Sequence, residues 1–301
     1  MPWYEIFDRE AAELLPGLEV RREEPMSRHT TFRVGGPARR MAFPGTEAEL
    51  TGLLALAEAF PHTVLGNGSN VLAADGGVDL LVINTSRLEG IEPLGDTGLR
   101  ALAGTSLAKL AMEAMRRALA GLAFAHGIPG TLGGAVFMNA GAYGGEMRQV
   151  ISSVRAWRNG ELLTLGRSQL GFGYRTSTFA QEGGVVLSAD FALEKGDEAQ
   201  IFHQMEDLGS RRRSKQPLEY PSAGSTFKRP EGNFAGTLIE QCGLKGYTVG
   251  GAQVSEKHAG FVVNRGGATC ADVLAVVRHV QETVESRTGV RLELEVRLLG
   301  V

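Results

Sequence analysis

The chain has 301 residues and a formal net charge of −3, with 31 Lys plus Arg against 34 Asp plus Glu. Hydrophobic residues at 43% and charged residues at 22% exclude a disordered, collagen-like or coiled-coil chain and leave a globular protein long enough for two domains. The near-neutral balance argues against a general nucleic-acid or membrane-surface binder, since both need a basic face. Glycine is the outlier: it fills 41 positions, about twice ordinary usage. Such an excess suggests backbone brought close to a phosphate or a flat cofactor.

In chain order, the first twenty residues carry charges every few positions and lack an apolar core, so no secretory leader is expected. Thr46-Glu47-Ala48-Glu49 predicts a capping box opening a helix with Leu50, Leu53, Leu54 and Ala57 on one face. Thr105 or Ser106 can cap a second helix that turns Leu107, Leu110, Ala111, Ala114 and Met115 inward, with Gly121 beyond it. A third begins near Asp197, turns Ile201, Met205 and Leu208 inward, and ends before Pro217. The fourth follows Thr269-Cys270-Ala271-Asp272 and stops at Gly289. Between them lie apolar strands at 63–65, 80–83, 154–157, 185–187 and 261–263, and an alternating one at 291–299. The mixture is α+β without an internal repeat. A boundary near 193–197 separates a larger N-terminal region from a smaller C-terminal one. No stretch approaches the ~18 to 20 apolar residues of a membrane span. Cys242 and Cys270 form no CxxC and read as buried small side chains in a reducing cytosol.

Several familiar chemistries are excluded. No GxGxxG follows a strand and no GxxxxGK[ST] occurs, which removes a Rossmann site and a P-loop. The six histidines include no HExxH pair and no neighbouring cysteine, so no metal site is expected. Ser225 lacks the GxSxG frame of a nucleophile elbow.

What remains is glycine, small polar residues and cations on turns. Gly66-Asn67-Gly68-Ser69-Asn70 follows a strand and can form either an anion-binding nest or a tight Asn-Gly hairpin. The tract 127–145 holds seven glycines in nineteen positions around an apolar centre, Ala135-Val136-Phe137-Met138. At ~1 kcal/mol per interior glycine, no helix or strand is expected in it. Buried, nearly uncharged backbone of this kind suits a planar cofactor whose diphosphate is held by amides. Arg211-Arg212-Arg213-Ser214-Lys215 sits at a predicted helix end and reads either as cations on the helix dipole or as a phosphate-binding patch. Further cations, Lys228, Arg229, Lys245 and His258, fall on turns. Glu293, Glu295 and Arg297 share one charged strand face, which on its own reads as solvent-exposed.

Seven strings in order resemble the UDP-N-acetylenolpyruvoylglucosamine reductase family, in its shorter type II form, over residues 28–300. They are Thr30–Pro37, Gly66–Asn70, Gly127–Gly145, Tyr174-Arg175-Thr176-Ser177, Ala223–Pro230, Lys245-Gly246 and Glu295-Val296-Arg297. The resemblance implies an FAD-binding domain of the PCMH (vanillyl-alcohol-oxidase-like) type in two subdomains, 1–84 and 85–196, then a smaller α+β substrate domain, 197–301. It implies a cytoplasmic oxidoreductase of peptidoglycan precursor synthesis, expected as a monomer, with non-covalent FAD, NADPH as co-substrate and a UDP-sugar substrate. In the reaction the resemblance implies, hydride passes from flavin N5 to C3 of the enolpyruvyl ether, and Ser225 gives a proton to C2. Arg175 and Glu295 are the other implied catalytic residues, which moves Glu295 off the solvent face. Flavin contacts fall on Gly66, Asn67, Gly68, Ser69 and Asn70, on Gly127, Ile128, Pro129, Gly130, Thr131, Gly133 and Gly134, and on Gly141 and Ala142. Substrate contacts fall on Lys215, Lys228, Arg229, Lys245 and His258. Arg229 and His258 stand where the long form carries amides, and the type II form lacks an insertion with a substrate-covering tyrosine. Two other readings are an FAD oxidase or dehydrogenase of the same fold, and a non-catalytic flavin or nucleotide-binding module.

Overall fold

In a computed structural model describing residues 1–301, the helices begin where local chemistry fixes them. Thr46 caps Glu47–Ala57 reciprocally: the Glu49 N–H donates to Thr46 Oγ1 at 3.1 Å, and the Thr46 N–H donates to Glu49 Oε2 at 3.3 Å. Ser106 caps Leu107–Arg116. Thr269 and Asp272 repeat the box on Cys270–Thr288, which ends at Gly289 in the left-handed conformation, φ 72°. The helix expected near Asp197 runs Glu198–Lys215 and buries Ile201 and Met205.

Several segments depart from expectation. The glycine tract, expected to lack regular structure, contains the helix Leu132–Phe137. It forms because Gly133 lets the turn pack close: its N–H donates to Ala103 O at 2.8 Å, and a Cβ there would lie 3.2 Å from Ala103 Cβ. The alternating stretch 291–299 is a strand only over Arg297–Leu299, with a single bridge between Leu294 and Phe227 before it. Trp3–Leu14 and Ala235–Gln241 are additional helices.

The chain forms two compact units that are not consecutive stretches. The first comprises Met1–Arg22, Arg40–Asn67 and Leu80–Arg212; the second comprises Glu23–Arg39, Gly68–Asp79 and Arg213–Val301. In the first, His62–Leu65 pairs in parallel with residues 81–84, with His62 opposite Leu81 and Leu65 opposite Asn84. A second sheet is antiparallel, in the order Glu161–Gly166, Ile151–Arg158, Val185–Ala192, Gly98–Leu102, Ile91–Leu94. Leu53, Leu81, Leu99, Leu110, Val136 and Val154 belong to its continuous core.

The second unit has an antiparallel sheet of Thr248–Val249, Ala252–Val254 and Val262–Asn264. Its core joins Phe32, Val34 and Leu72 to Val273, Val276, Val280 and Val296. Residues 68–79 belong here for two reasons. Val71–Ala73 pairs in parallel with Arg297–Leu299. The Asp75 carboxylate accepts the Cys270 and Ala271 N–H groups at 2.7 and 3.0 Å, at the start of Cys270–Thr288. Both cysteines are free and buried, and burial reinforced by Asp75 pushes the Cys270 thiol up to about 11. No helix is long and apolar enough to cross a membrane.

Candidate functional site

In the first unit the two glycine-rich stretches meet. His62–Leu65 pairs with Val78–Asn84 and Val71–Ala73 with Arg297–Leu299, so Gly66–Asn70 connects two sheets and is not the hairpin that Asn-Gly could have made. The Asn67 side-chain amide donates to Pro129 O at 2.6 Å. Gly66 is required by that approach, since a Cβ there would lie 2.2 Å from Thr131 Oγ1. Thr131 is only 4% exposed, and its hydroxyl has no hydrogen-bond partner in the protein. Buried hydroxyls are rarely left so. A donor without a partner, beside glycine backbone with little side-chain cover, is what a diphosphate-bearing flavin would complete. The residues present fit FAD, which Gly66–Asn67 and the 127–134 stretch would hold.

Gly68 answers to packing instead. It is left-handed (φ 57°), and a Cβ would meet His29 O at 2.1 Å within the second unit. Asn70 also has a structural task, its side-chain amide donating to Glu295 O at 3.1 Å while its own carbonyl accepts the Arg297 N–H at 3.0 Å.

Arg175 stands in the first unit on a left-handed backbone, φ 54°, as do Asn139 (φ 44°) and Tyr143 (φ 55°). For residues with a Cβ this conformation costs ~1–2 kcal/mol and persists where surroundings over-determine it. Asn139 shows how. Almost fully buried, its amide donates to Glu146 Oε2 at 2.8 Å and to Gly173 O at 3.0 Å, and its oxygen accepts the Arg148 N–H at 2.9 Å. This fixes the Gly173–Thr176 turn against the glycine tract. Arg175 Nη1 reaches Gly141 O at 3.4 Å, in the short Gly141-Ala142/Gly145-Glu146 hairpin. Sequence reasoning passed over Asn139, although it stands inside the tract.

In the second unit the structure brings Ser225 and Glu295 onto adjacent segments. Gly224 is left-handed (φ 77°) with open space beside it. Thr226 is buried: its N–H donates to Gly260 O at 2.8 Å, its Oγ1 accepts the Val262 N–H at 2.9 Å, and its carbonyl accepts the Glu295 N–H at 2.9 Å. The Lys228 N–H donates to Glu293 O at 2.8 Å. The Ser225 backbone is therefore clamped from both sides, while its side chain is exposed and its hydroxyl makes no bond within the protein. Glu295 is half-buried, between exposed Glu293 and exposed Arg297, so the expected solvent face is wet only in part. Thr226 is the functional-site residue that the sequence concealed, being chemically so like its neighbour.

The expected substrate-binding cations are in varied states. Lys228 pairs with Glu293 at 3.1 Å and Lys245 with Glu240 at 2.5 Å. The Arg229 guanidinium lies 3.9 Å from the centroid of the exposed Phe234 ring. Lys215 is exposed at the end of Glu198–Lys215. Burial holds the His258 pKa below the ordinary histidine range; a backbone hydrogen bond opposes it, and the Lys245 charge adds a smaller push in the same direction as burial. Its Nδ1 accepts the Gly260 N–H at 3.1 Å, which leaves Nε2–H as a neutral donor.

The family model described as UDP-N-acetylenolpyruvoylglucosamine reductase, C-terminal domain, matches residues 216–299, and one described as FAD binding domain matches residues 38–166. The UDP-N-acetylenolpyruvoylglucosamine reductase of Clostridium perfringens (strain 13 / Type A) is 50% identical over 281 residues, covering 92% of each chain. That of Caldanaerobacter subterraneus subsp. tengcongensis is 46% identical over 299 residues, covering 98% of this chain and 99% of the relative. The crystal structure of the Thermus caldophilus reductase superposes with a TM-score of 0.81 at 38% identity, covering 94% of this chain and 98% of that one.

Proposed function

The chain belongs to the UDP-N-acetylenolpyruvoylglucosamine reductase family, a family of oxidoreductases, and from that premise we propose that it uses FAD and NADPH to reduce UDP-N-acetylglucosamine enolpyruvate to UDP-N-acetylmuramate for peptidoglycan synthesis. On this reading residues 1–84 and 85–196 serve the flavin, residues 197–301 serve the UDP-sugar, and the chain acts as a cytoplasmic monomer. Bound FAD supplies hydride chemistry.

The chain's own residues manage charge and a proton. Reduction at C3 of the enolpyruvyl group leaves negative charge on C2 and its carboxylate. Arg175 grips that carboxylate through paired N–H bonds, and the acid form of Glu295 would donate a hydrogen bond to it. Fixed donors of this type are each worth about 10²–10³ in rate. Ser225 Oγ then delivers its proton to C2 on one face. Lys215, Lys228, Arg229, Lys245 and the neutral Nε2–H of His258 receive the UDP moiety.

The observation that carries this reading is the contrast at 225 and 226. One hydroxyl is locked into the fold; the other is exposed, unbonded and held on a clamped backbone that is hydrogen-bonded to the Glu295 segment. The test is NADPH oxidation with and without the enolpyruvyl UDP-sugar. Rapid consumption is expected only with the sugar; equal consumption in its absence points to an oxidase. Ser225→Ala should leave flavin reduction by NADPH near normal and slow reoxidation by the sugar about 10²–10⁴-fold. Reoxidation at the wild-type rate would remove Ser225 from its role.

A further inference from the structure

One aromatic ring of the second unit has no part in that reading. Phe234 is 59% exposed and stays outside the apolar core that Ala235, Leu238 and Ile239 enter just after it. Single apolar side chains at a surface are ordinary, but this one is fixed in place. Pro230–Asn233 forms a tight turn, with the Asn233 N–H donating to Pro230 O at 3.2 Å and Gly232 left-handed at φ 69° in the third position. On the other side, the Leu238 N–H donates to Phe234 O at 3.1 Å as Ala235–Gln241 begins. The turn sets residues 229 and 234 beside each other, and the Arg229 guanidinium covers one face of the ring, 3.9 Å from its centroid. No other ring or cation lies against Phe234.

What remains is a flat apolar face, backed by a cation and held on a fixed backbone. Such a face suits a planar ring, and base–aromatic stacking is worth about 1–3 kcal/mol without any hydrogen bond from the side chain. Groups suited to the rest of a nucleotide stand around it. The His258 ring packs over Gly236, where a Cβ would lie 3.2 Å from its Cε1, and Lys245 pairs with Glu240 on the same helix. The order of residues adds a second argument. Ser225, Lys228 and Arg229 follow one another on a segment bonded to Glu293 and Glu295, and Phe234 stands just across the turn. Ser225 and Arg229 are at most ~14 Å apart, four residues at up to ~3.6 Å each. A UDP-sugar presents its parts in the same order: the reacting ether on the hexose, then two phosphates, then the uracil. Neither a hexose nor a phosphate has use for a bare phenyl face, so the base is the part left to occupy it.

We propose that the uncovered face of Phe234, backed by Arg229, stacks on the uracil of the UDP-sugar. The inference rests on the reductase reading above and deepens it by assigning a residue to the base. Every base has a π face, so the ring supplies affinity for a nucleoside, while selection of uracil falls to groups that hydrogen-bond its edge.

The experiment titrates UDP into holoenzymes of wild type, Phe234→Ala and Phe234→Tyr by calorimetry and follows the uracil H5 and H6 resonances of UDP by NMR. Phe234→Ala should weaken UDP about 10- to 100-fold, and Phe234→Tyr, which keeps the ring, should bind within about threefold of wild type. On binding wild type the two uracil resonances should move upfield, the signature of a proton over an aromatic face. In turnover, the KM for the enolpyruvyl UDP-sugar should rise in Phe234→Ala by a factor similar to the loss of UDP affinity. The Phe234→Ala protein should melt within about 2 °C of wild type, because an exposed ring is removed. Unchanged UDP affinity overturns the proposal. So does a loss of affinity when wild type shows no upfield shift, which would mean that the ring only places Arg229. A variant that melts several degrees low overturns it too, by putting the ring in the service of the fold. If wild type itself bound no UDP, the reductase reading would fall instead, which is a distinguishable result.

Discussion

A single methyl group at Gly66 would measure how tightly the two glycine-rich stretches are held. The Cβ of Gly66→Ala would lie 2.2 Å from Thr131 Oγ1, far inside the ~3.5–4.0 Å of a relaxed contact. Thr131 has little room to retreat: it forms a bridge with Ser106, and the next two N–H groups, of Leu132 and Gly133, bind Thr105 O and Ala103 O at 2.9 and 2.8 Å. Rotating its side chain loses no hydrogen bond but brings Cγ2 toward the same space. Moving residues 66–67 away instead strains the 2.6 Å bond from Asn67 to Pro129. Overpacking of this kind costs about 1–3 kcal/mol, or roughly 2–4 °C of melting temperature per kcal/mol. Thr131→Ala alone removes one methyl and a hydroxyl without a partner, a loss of about 1 kcal/mol. In the double variant the new methyl occupies the vacated space. The assay is a double-mutant cycle by urea unfolding of flavin-free protein, and the coupling should exceed about 1 kcal/mol in the stabilising direction. FAD affinity of Gly66→Ala should fall as the loops part. Additivity within about 0.5 kcal/mol would refute the claimed contact.

Two further predictions concern the second unit. His258 resists protonation in the folded protein, so the unfolded chain takes the proton first. Its contribution to stability is fully present above the unfolded value of about 6.5 and is lost as pH falls through the depressed folded value. Urea midpoints between pH 5 and 7 should therefore slope less in His258→Gln, and a ring NMR titration centred at or above 6.5 would contradict the argument. Asp75→Asn exchanges the carboxylate that accepts the Cys270 and Ala271 N–H groups for an amide. The loss should be about 1–2 kcal/mol, read as a lowered melting temperature, and an unchanged one would remove the cap from the account.

Those elements whose signals are local were legible in the sequence. Thr46 with Glu49, and Thr269 with Asp272, specify their helix starts within four residues, and Gly289 specifies a stop. The strand at 291–299 was overdrawn because the length of a strand is set by its partner, and Val71–Ala73 offers only three residues more than two hundred positions away. The tract at 127–145 was read as devoid of regular structure because glycine is unfavourable in an isolated helix; tertiary packing against Ala103 reverses that at Gly133. Trp3–Leu14 places Phe7 and Ala11 four apart among charges, a helical spacing that the search for a leader does not use. The same division holds for the proposed site. Ser225 and Arg175 stand in recognisable strings. Asn139 and Thr226 act through bonds to Gly173, Gly260 and Glu295, distant positions that no single segment displays.

Satisfaction of polar groups sorts the site residues into two kinds. Lys228 and Lys245 already have carboxylate partners, Glu293 and Glu240, and these pairs are largely exposed. Exposed pairs contribute about 0–1 kcal/mol, so a phosphate can displace either carboxylate at little cost, and such binding weakens as salt rises. Thr131 Oγ1 and Ser225 Oγ have no internal partner to displace. For the buried hydroxyl, desolvation has already been incurred on folding, so a ligand that reaches it recovers a full charge-assisted bond without a competing loss. Ser225 differs in being exposed: water satisfies it, its backbone is fixed by Thr226, and what the fold provides there is position. On the proposed reading, flavin-binding strength therefore belongs to the first unit's unpartnered hydroxyl and stereochemistry to the second unit's clamped serine. A Thr226→Val substitution, which removes the bond from the Val262 N–H while keeping the shape, accordingly bears on proton delivery more than on ligand affinity.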